Sequence, residues 1–96
     1  MKRMELIANN SVENEIIQSL EEKITDFYYT IISNVHGRGK KAYHLGTATW
    51  PEENFQVISY LNDNDALLAD QVVKEVKLRF PGEGIKIFFL DAEGTA

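Results

Sequence analysis

Cysteine is absent from this sequence, which excludes a disulfide framework and any thiolate metal centre. Long apolar runs are absent too: none approaches the roughly 20 residues that a transmembrane helix needs, so no direct membrane insertion is expected. The start, Met1-Lys2-Arg3-Met4-Glu5-Leu6, lacks the apolar region and small-residue cleavage site of a secretion signal. A cytoplasmic protein is the expectation. Positive charge is in deficit. Ten Lys and Arg stand against 15 Asp and Glu, a net charge of −5. Neutralising a nucleic-acid backbone takes a basic face, so nucleic acid is not an expected partner. No Ser or Thr stands at a suggestive spacing from a histidine, and the Gly-x-x-x-x-Gly-Lys-Ser/Thr phosphate loop is missing. The chain does not read as an enzyme, and no catalytic residue is assigned.

What is present suits one small globular domain over residues 1–96, with 44% hydrophobic and 26% charged residues. Lys2–Ala8 alternates, with Met4, Leu6 and Ala8 on one face, as a half-buried strand does. Asn10 and Glu13 have capping-box spacing, and Val12, Ile16, Ile17, Leu20 and Ile24 follow at helical intervals, predicting a helix over about Ser11–Lys23. Phe27–Val35 and Phe55–Leu61 are strands rich in aromatic and β-branched residues. Phe27, Tyr29, Ile31 and Val35 share one face of the first. Asn62-Asp63-Asn64-Asp65 is a capping cluster, Ala69, Val72, Val73, Val76 and Phe80 form a second helical stripe, and Pro81-Gly82 ends it. Ile85–Leu90 is a last strand. The fold class is therefore α+β, a ferredoxin-like βαββαβ order with a four-stranded antiparallel sheet and two helices on one face.

The two middle strands are separated by a long loop, residues 36–51, which holds both histidines, the one tryptophan and the run His36-Gly37-Arg38-Gly39-Lys40-Lys41. A long connection in a small domain is commonly a functional one. Backbone N–H groups around Gly37 and Gly39 suit an anion, with Arg38, Lys40 and Lys41 adding charge; the plainer reading is a loop entrance that needs positive φ. Gly82, Gly84 and Lys86 form a second glycine-and-lysine group, which reads equally as a turn that stops a helix. His36 and His44, with Glu52 and Glu53 nearby, are donors suited to a divalent transition metal, although the spacing matches no zinc signature and solvated histidines are the commoner case.

The sheet face away from the helices would carry Ile7, Tyr28, Ile32, Ile58, Tyr60, Phe88 and Leu90 among Glu5, Gln56 and Lys86. Monomers seldom expose so large an apolar patch, so self-association through this face is expected.

At these motifs the sequence resembles the PII signalling family, in particular its short PII-like branch. Ile31-Ile32-Ser33-Asn34-Val35-His36-Gly37-Arg38-Gly39 is similar to the strand that enters the PII T-loop, and Pro81-Gly82-Glu83-Gly84-Ile85-Lys86-Ile87-Phe88 to the B-loop and last core strand. The likeness runs from Lys2 to Leu90. The loop is shorter than the usual T-loop, Tyr43 does not align with a modified tyrosine, Ile85 is inserted before the lysine, and the family's C-terminal arginine-containing segment has no counterpart. The resemblance implies a cytoplasmic homotrimer that binds a small anionic effector, an adenine nucleotide such as AMP or ADP, in clefts between subunits. The loop would then control a partner protein, a transporter or an enzyme. The alternative is a metal-binding trimer related to CutA-like or heavy-metal-efflux-associated PII-like proteins, through His36 and His44.

Overall fold

A computed structural model describes residues 1–37 and 53–94. The first strand, β1 (Lys2–Asn9), is followed by a 3₁₀ turn at Asn10–Val12 and by helix α1 (Glu13–Lys23). Strands β2 (Thr30–Val35) and β3 (Asn54–Leu61), helix α2 (Asp63–Arg79) and strand β4 (Ile85–Asp91) complete the order. The strands form one sheet in the order β2-β3-β1-β4, antiparallel at every junction. This is the ferredoxin-like arrangement that the alternation of patterns predicts.

Period decides what is buried. Met4, Leu6 and Ala8 of β1, Phe55 and Val57 of β3 and Ile85 of β4 join Val12, Ile16 and Leu20 from the first helical segment and Ala69, Val73 and Val76 from α2 in one core. Alternate positions of the strands supply its sheet side, and the helical stripes supply the other. The opposite sheet face is left open.

Both helical segments begin on asparagine side chains. Asn62 Oδ1 accepts from the Asp65 N–H at 2.8 Å, with Asp63 and Asp65 in the first turn of α2 and Lys77 and Arg79 in its last, as the helix dipole favours. The first segment departs from expectation. Asn9, not Asn10, is the cap: its Oδ1 accepts from the Ser11 N–H at 2.9 Å and closes a 3₁₀ turn, so α1 starts only at Glu13 and no capping box forms with Asn10.

Strand β2 is shorter than its apolar run. Asp26 takes φ 54°, and ladder pairing begins only at Thr30. The carbonyl of Tyr28 instead accepts from the buried Ser59 hydroxyl at 2.6 Å. A second irregularity falls at the far end of β2. Asn34, at φ 56°, sits in a bulge between Ile32 and Val35, a left-handed conformation that asparagine tolerates. The extra residue sets Val35 opposite Asn54, so Val35 leaves the core-facing row of Ile31, where strict alternation would have placed it.

Candidate functional site

Antiparallel pairing gathers the sequence-predicted groups at one end of the sheet. There β1 and β2 finish while β3 and β4 begin. His36 and Gly37 leave β2, Glu53 enters β3, and the turn from Phe80 to Gly84 enters β4. Pro81 cannot continue α2, and the Glu83 N–H donates back to the Phe80 carbonyl at 3.1 Å, closing that turn. The central strand β1 ties both flanks. Asn9 N–H donates to the Gly84 carbonyl at 3.3 Å, and Asn10 N–H donates to the Glu53 carbonyl at 3.0 Å.

The described glycines at this end are not explained by a left-handed backbone conformation. None of Gly37, Gly82 and Gly84 has φ in the left-handed region, and a Cβ added at each would meet no atom within 4 Å. The positive φ expected at the loop entrance is not found at Gly37, and Gly39 lies outside the described residues, while Asn34, just before the entrance, takes φ 56°. Bare, exposed backbone of this kind lets another molecule approach its N–H and carbonyl groups closely.

Lys86 is exposed on the outer sheet face, in register with Ile7 of β1. No ion pair among the described residues engages it. Gly82, Gly84 and Lys86 lie along the β4 edge, and His36 and Gly37 at the β2 edge. Three strand spacings of about 4.8 Å separate those edges by about 14 Å. Among the described residues, His36 and Gly37 therefore stand at the opposite edge from Gly82, Gly84 and Lys86. Arg38, Gly39, Lys40, Lys41 and His44, with most of the loop 36–51, fall outside the described residues. His36 belongs to no group of three or more His, Asp or Glu side chains suited to a metal among the described residues.

The outer face is a lattice of apolar side chains around a polar centre. Tyr60, Arg3 and Leu90 form one row; Thr30, Ile58, Glu5 and Phe88 a second; Ile32, Gln56, Ile7 and Lys86 a third. Tyr60 is 55% exposed and Phe88 52%, so the patch anticipated from sequence is present. Arg3 organises its centre: Nε lies 3.1 Å from Glu5 Oε1, and Nη1 donates to the Tyr60 hydroxyl at 3.0 Å. Alternation along β1 puts Arg3, Glu5 and Ile7 on one face, but the ion pair within it was not anticipated. The i, i+2 spacing of opposite charges on one strand face was the available signal.

Shifted titrations lie away from this end. Lys2 and Asp91 pair across the β1–β4 junction, raising the lysine and lowering the carboxyl from their ordinary values through the hydrogen bond between them. Burial, then the hydrogen bond to Glu21, raises the Tyr29 phenol.

No family model matches the sequence, and no curated protein matches it. Solved structures do. CPII of Thiomonas intermedia K12, a nitrogen regulatory PII-like protein bound to ADP, AMP and bicarbonate, superposes with a TM-score of 0.70 at 16% identity, over 99% of this chain and 92% of that one. TTHA0516 of Thermus thermophilus, described as a PII-like signalling protein, gives a TM-score of 0.64 at 18% identity, over 93% of this chain and 83% of that one. The apo form of CPII gives 0.61 at 13% identity, over 93% and 87%. The chain thus has the fold of these PII-like proteins. No helix among the described residues is long and apolar enough to cross a membrane.

Proposed function

We propose that this chain is a PII-like regulatory protein, a single domain that assembles as a homotrimer and binds an adenine nucleotide between subunits. The observation that carries this reading is that Gly37, Gly82 and Gly84 stand at one end of the sheet, none with a left-handed φ and none with a described atom within 4 Å of an added Cβ. Open backbone at these positions leaves room for close approach of a ligand. Gly37 and the Gly82–Gly84 turn lie on opposite edges, about 14 Å apart by strand spacing, which favours a site in which a neighbouring copy supplies one of the two walls. The exposed outer face gives that neighbour an apolar surface to cover.

The wall from one subunit is Gly82, Gly84 and Lys86; the facing wall is Gly37, Arg38 and Gly39, with Lys40 and Lys41 adding charge. Lys86 offers a charge-assisted hydrogen bond to a phosphate. The ADP and AMP of CPII support the ligand class. Bicarbonate in the same neighbour supports a second small anion at the site. Effector binding sets the state of the loop 36–51, through which the protein engages a transporter or an enzyme in the cytoplasm. The ligand drives that change only through unequal affinity for the two loop states. The protein's role is regulatory and not catalytic.

Calorimetry with AMP and ADP, paired with light scattering, tests the reading. Saturable binding by a species of three chains is the expected result. A stable monomer, or no nucleotide binding, overturns it.

A further inference from the structure

We propose that Val35, at the entrance to the 36–51 loop, belongs to the self-association face, turned onto it by the bulge at Asn34. Its partner there is a second copy of this chain. The inference rests on the homotrimer reading and sets how far that surface reaches.

Register carries the argument. Ile32 stands opposite Gln56, so an unbroken ladder would set Asn34 opposite Asn54 and Val35 opposite Glu53. Alternation would then turn the asparagine outward and the valine to the core side. The structure does the reverse. Asn34 takes φ 56° within the bulge, and Val35 stands opposite Asn54. Asn54 alternates with the buried Phe55 and pairs with Asn9 of β1, whose N–H donates to the Gly84 carbonyl at 3.3 Å. Val35, Asn54, Asn9 and Gly84 thus add a fourth row to the outer face. Gly84 brings no side chain to it, and the Asn9 side chain is engaged by the Ser11 N–H. Val35 is the apolar member of that row, half-buried in the single chain.

A bulge re-aims a side chain. This one takes a valine off the core side, and contact with another copy restores the burial forgone. Area points the same way. Four strands about 4.8 Å apart and four rows of two residues at about 3.4 Å each give a flat footprint of roughly 500 Å². Each partner of a standard interface buries about 800 Å², so side-chain relief must supply the difference and no row can be spared. Charge disfavours a strongly charged partner. The fourth row carries no ion, and Arg3 is matched by Glu5 within the chain. A second copy brings the same apolar residues, of which Ile32, Tyr60, Phe88 and Leu90 are exposed in the single chain.

Sedimentation of the full chain across a dilution series tests the assignment. Val35→Thr keeps the shape and the β-branch but sets a hydroxyl at the contact. It should raise the midpoint concentration of assembly roughly tenfold or more. Val35→Asp should leave a monomer where the native chain is assembled; should it unfold, the threonine variant decides alone. Leu78→Thr, at a side chain 82% exposed on α2, is the control and should shift nothing. Deletion of Asn34 leaves Val35 opposite Asn54 in a plain ladder, so that chain should assemble as the native one does. If Val35→Thr and Val35→Asp assemble like the native chain while Ile58→Lys dissociates it, the inference is overturned and the homotrimer reading stands. If Ile58→Lys assembles as well, the reading on which the inference rests falls, and the inference with it. Loss of assembly on deleting Asn34, with circular dichroism unchanged, also overturns the assignment, because that chain still presents Val35.

Discussion

Arg3 Nε lies 3.1 Å from Glu5 Oε1 on the outer face of one strand, in the midst of side chains that are mostly apolar. Each is about one-third exposed in the isolated chain, 33% and 30%. Water still screens such a pair, which there contributes about 0–1 kcal/mol. If subunits cover this face, the same pair becomes buried. Removing one partner then leaves an uncompensated charge, a loss of about 3–5 kcal/mol. Glu5→Gln should therefore leave the unfolding of the isolated chain nearly unchanged and weaken assembly sharply, as read by sedimentation across a dilution series. Equal, small effects on both would mean that the pair stays wet and the face uncovered.

Ile58 offers a cruder test of the same face. It sits opposite Glu5 and Thr30 in the middle row of the lattice. Ile58→Lys places an ammonium where a second copy would exclude water, at a penalty of several kcal/mol unless it neutralises or escapes. We expect a folded monomer by circular dichroism and light scattering. An intact trimer carrying this substitution would place the interface elsewhere.

The elements and their core faces were legible because period is a strong signal. Met4, Leu6, Val73 and Val76 fall where alternation and helical spacing put them. The entrance to β2 was not legible. Phe27–Tyr29 look like strand, yet side-chain chemistry from Ser59 replaces the ladder there. Nor was the bulge at Asn34, since one left-handed asparagine in an apolar run leaves no periodic trace. It moved Val35 to the other face. At the candidate site, sequence marks out Gly37 and the group Gly82, Gly84 and Lys86. Their separation onto opposite edges follows from strand order, which no local pattern carries.

Ser59 holds down that irregular entrance. Its hydroxyl is buried and donates to the Tyr28 carbonyl at 2.6 Å. Ser59→Ala removes the donor from a carbonyl that has no ladder partner. Denaturant unfolding should show a loss of about 1–3 kcal/mol, the usual penalty for stranding a polar group. Hydrogen exchange should also quicken at Tyr29 and Thr30. An unchanged midpoint would show that water serves Tyr28 as well as the serine does.

The Lys2–Asp91 pair fixes an expected pH dependence. Asp91 is lowered from 3.8 in the folded chain, so its contribution is present above that value and is lost as pH falls through the folded value. Lys2 is raised from 10.5, so its contribution is full below that value and is lost as pH rises through the folded one. Between about pH 5 and 9 the pair should add no slope to stability. Asp91→Asn should therefore flatten the acid limb of a melting-temperature profile and leave its shape near neutrality unchanged. A change of slope near neutrality would mean that another group responds to this substitution.

Nucleotide charge provides the sharpest test of the proposed site. Lys86 on one wall and Arg38 on the other should each donate charge-assisted hydrogen bonds to a phosphate. Removing either should weaken binding by about 1.5–3 kcal/mol, roughly tenfold to a hundredfold. Every further phosphate adds negative charge to a chain that already carries −5. AMP or ADP should accordingly bind more tightly than ATP, and calorimetry across the three nucleotides ranks them directly. Tightest binding of ATP would show that further cations reach the γ-phosphate, with Lys40 and Lys41 the first to replace by alanine. If no nucleotide binds while a divalent transition metal does, the double variant His36→Ala, His44→Ala becomes decisive. Loss of the metal in that variant would transfer the effector role to the histidines. Its retention would leave neither histidine as a ligand.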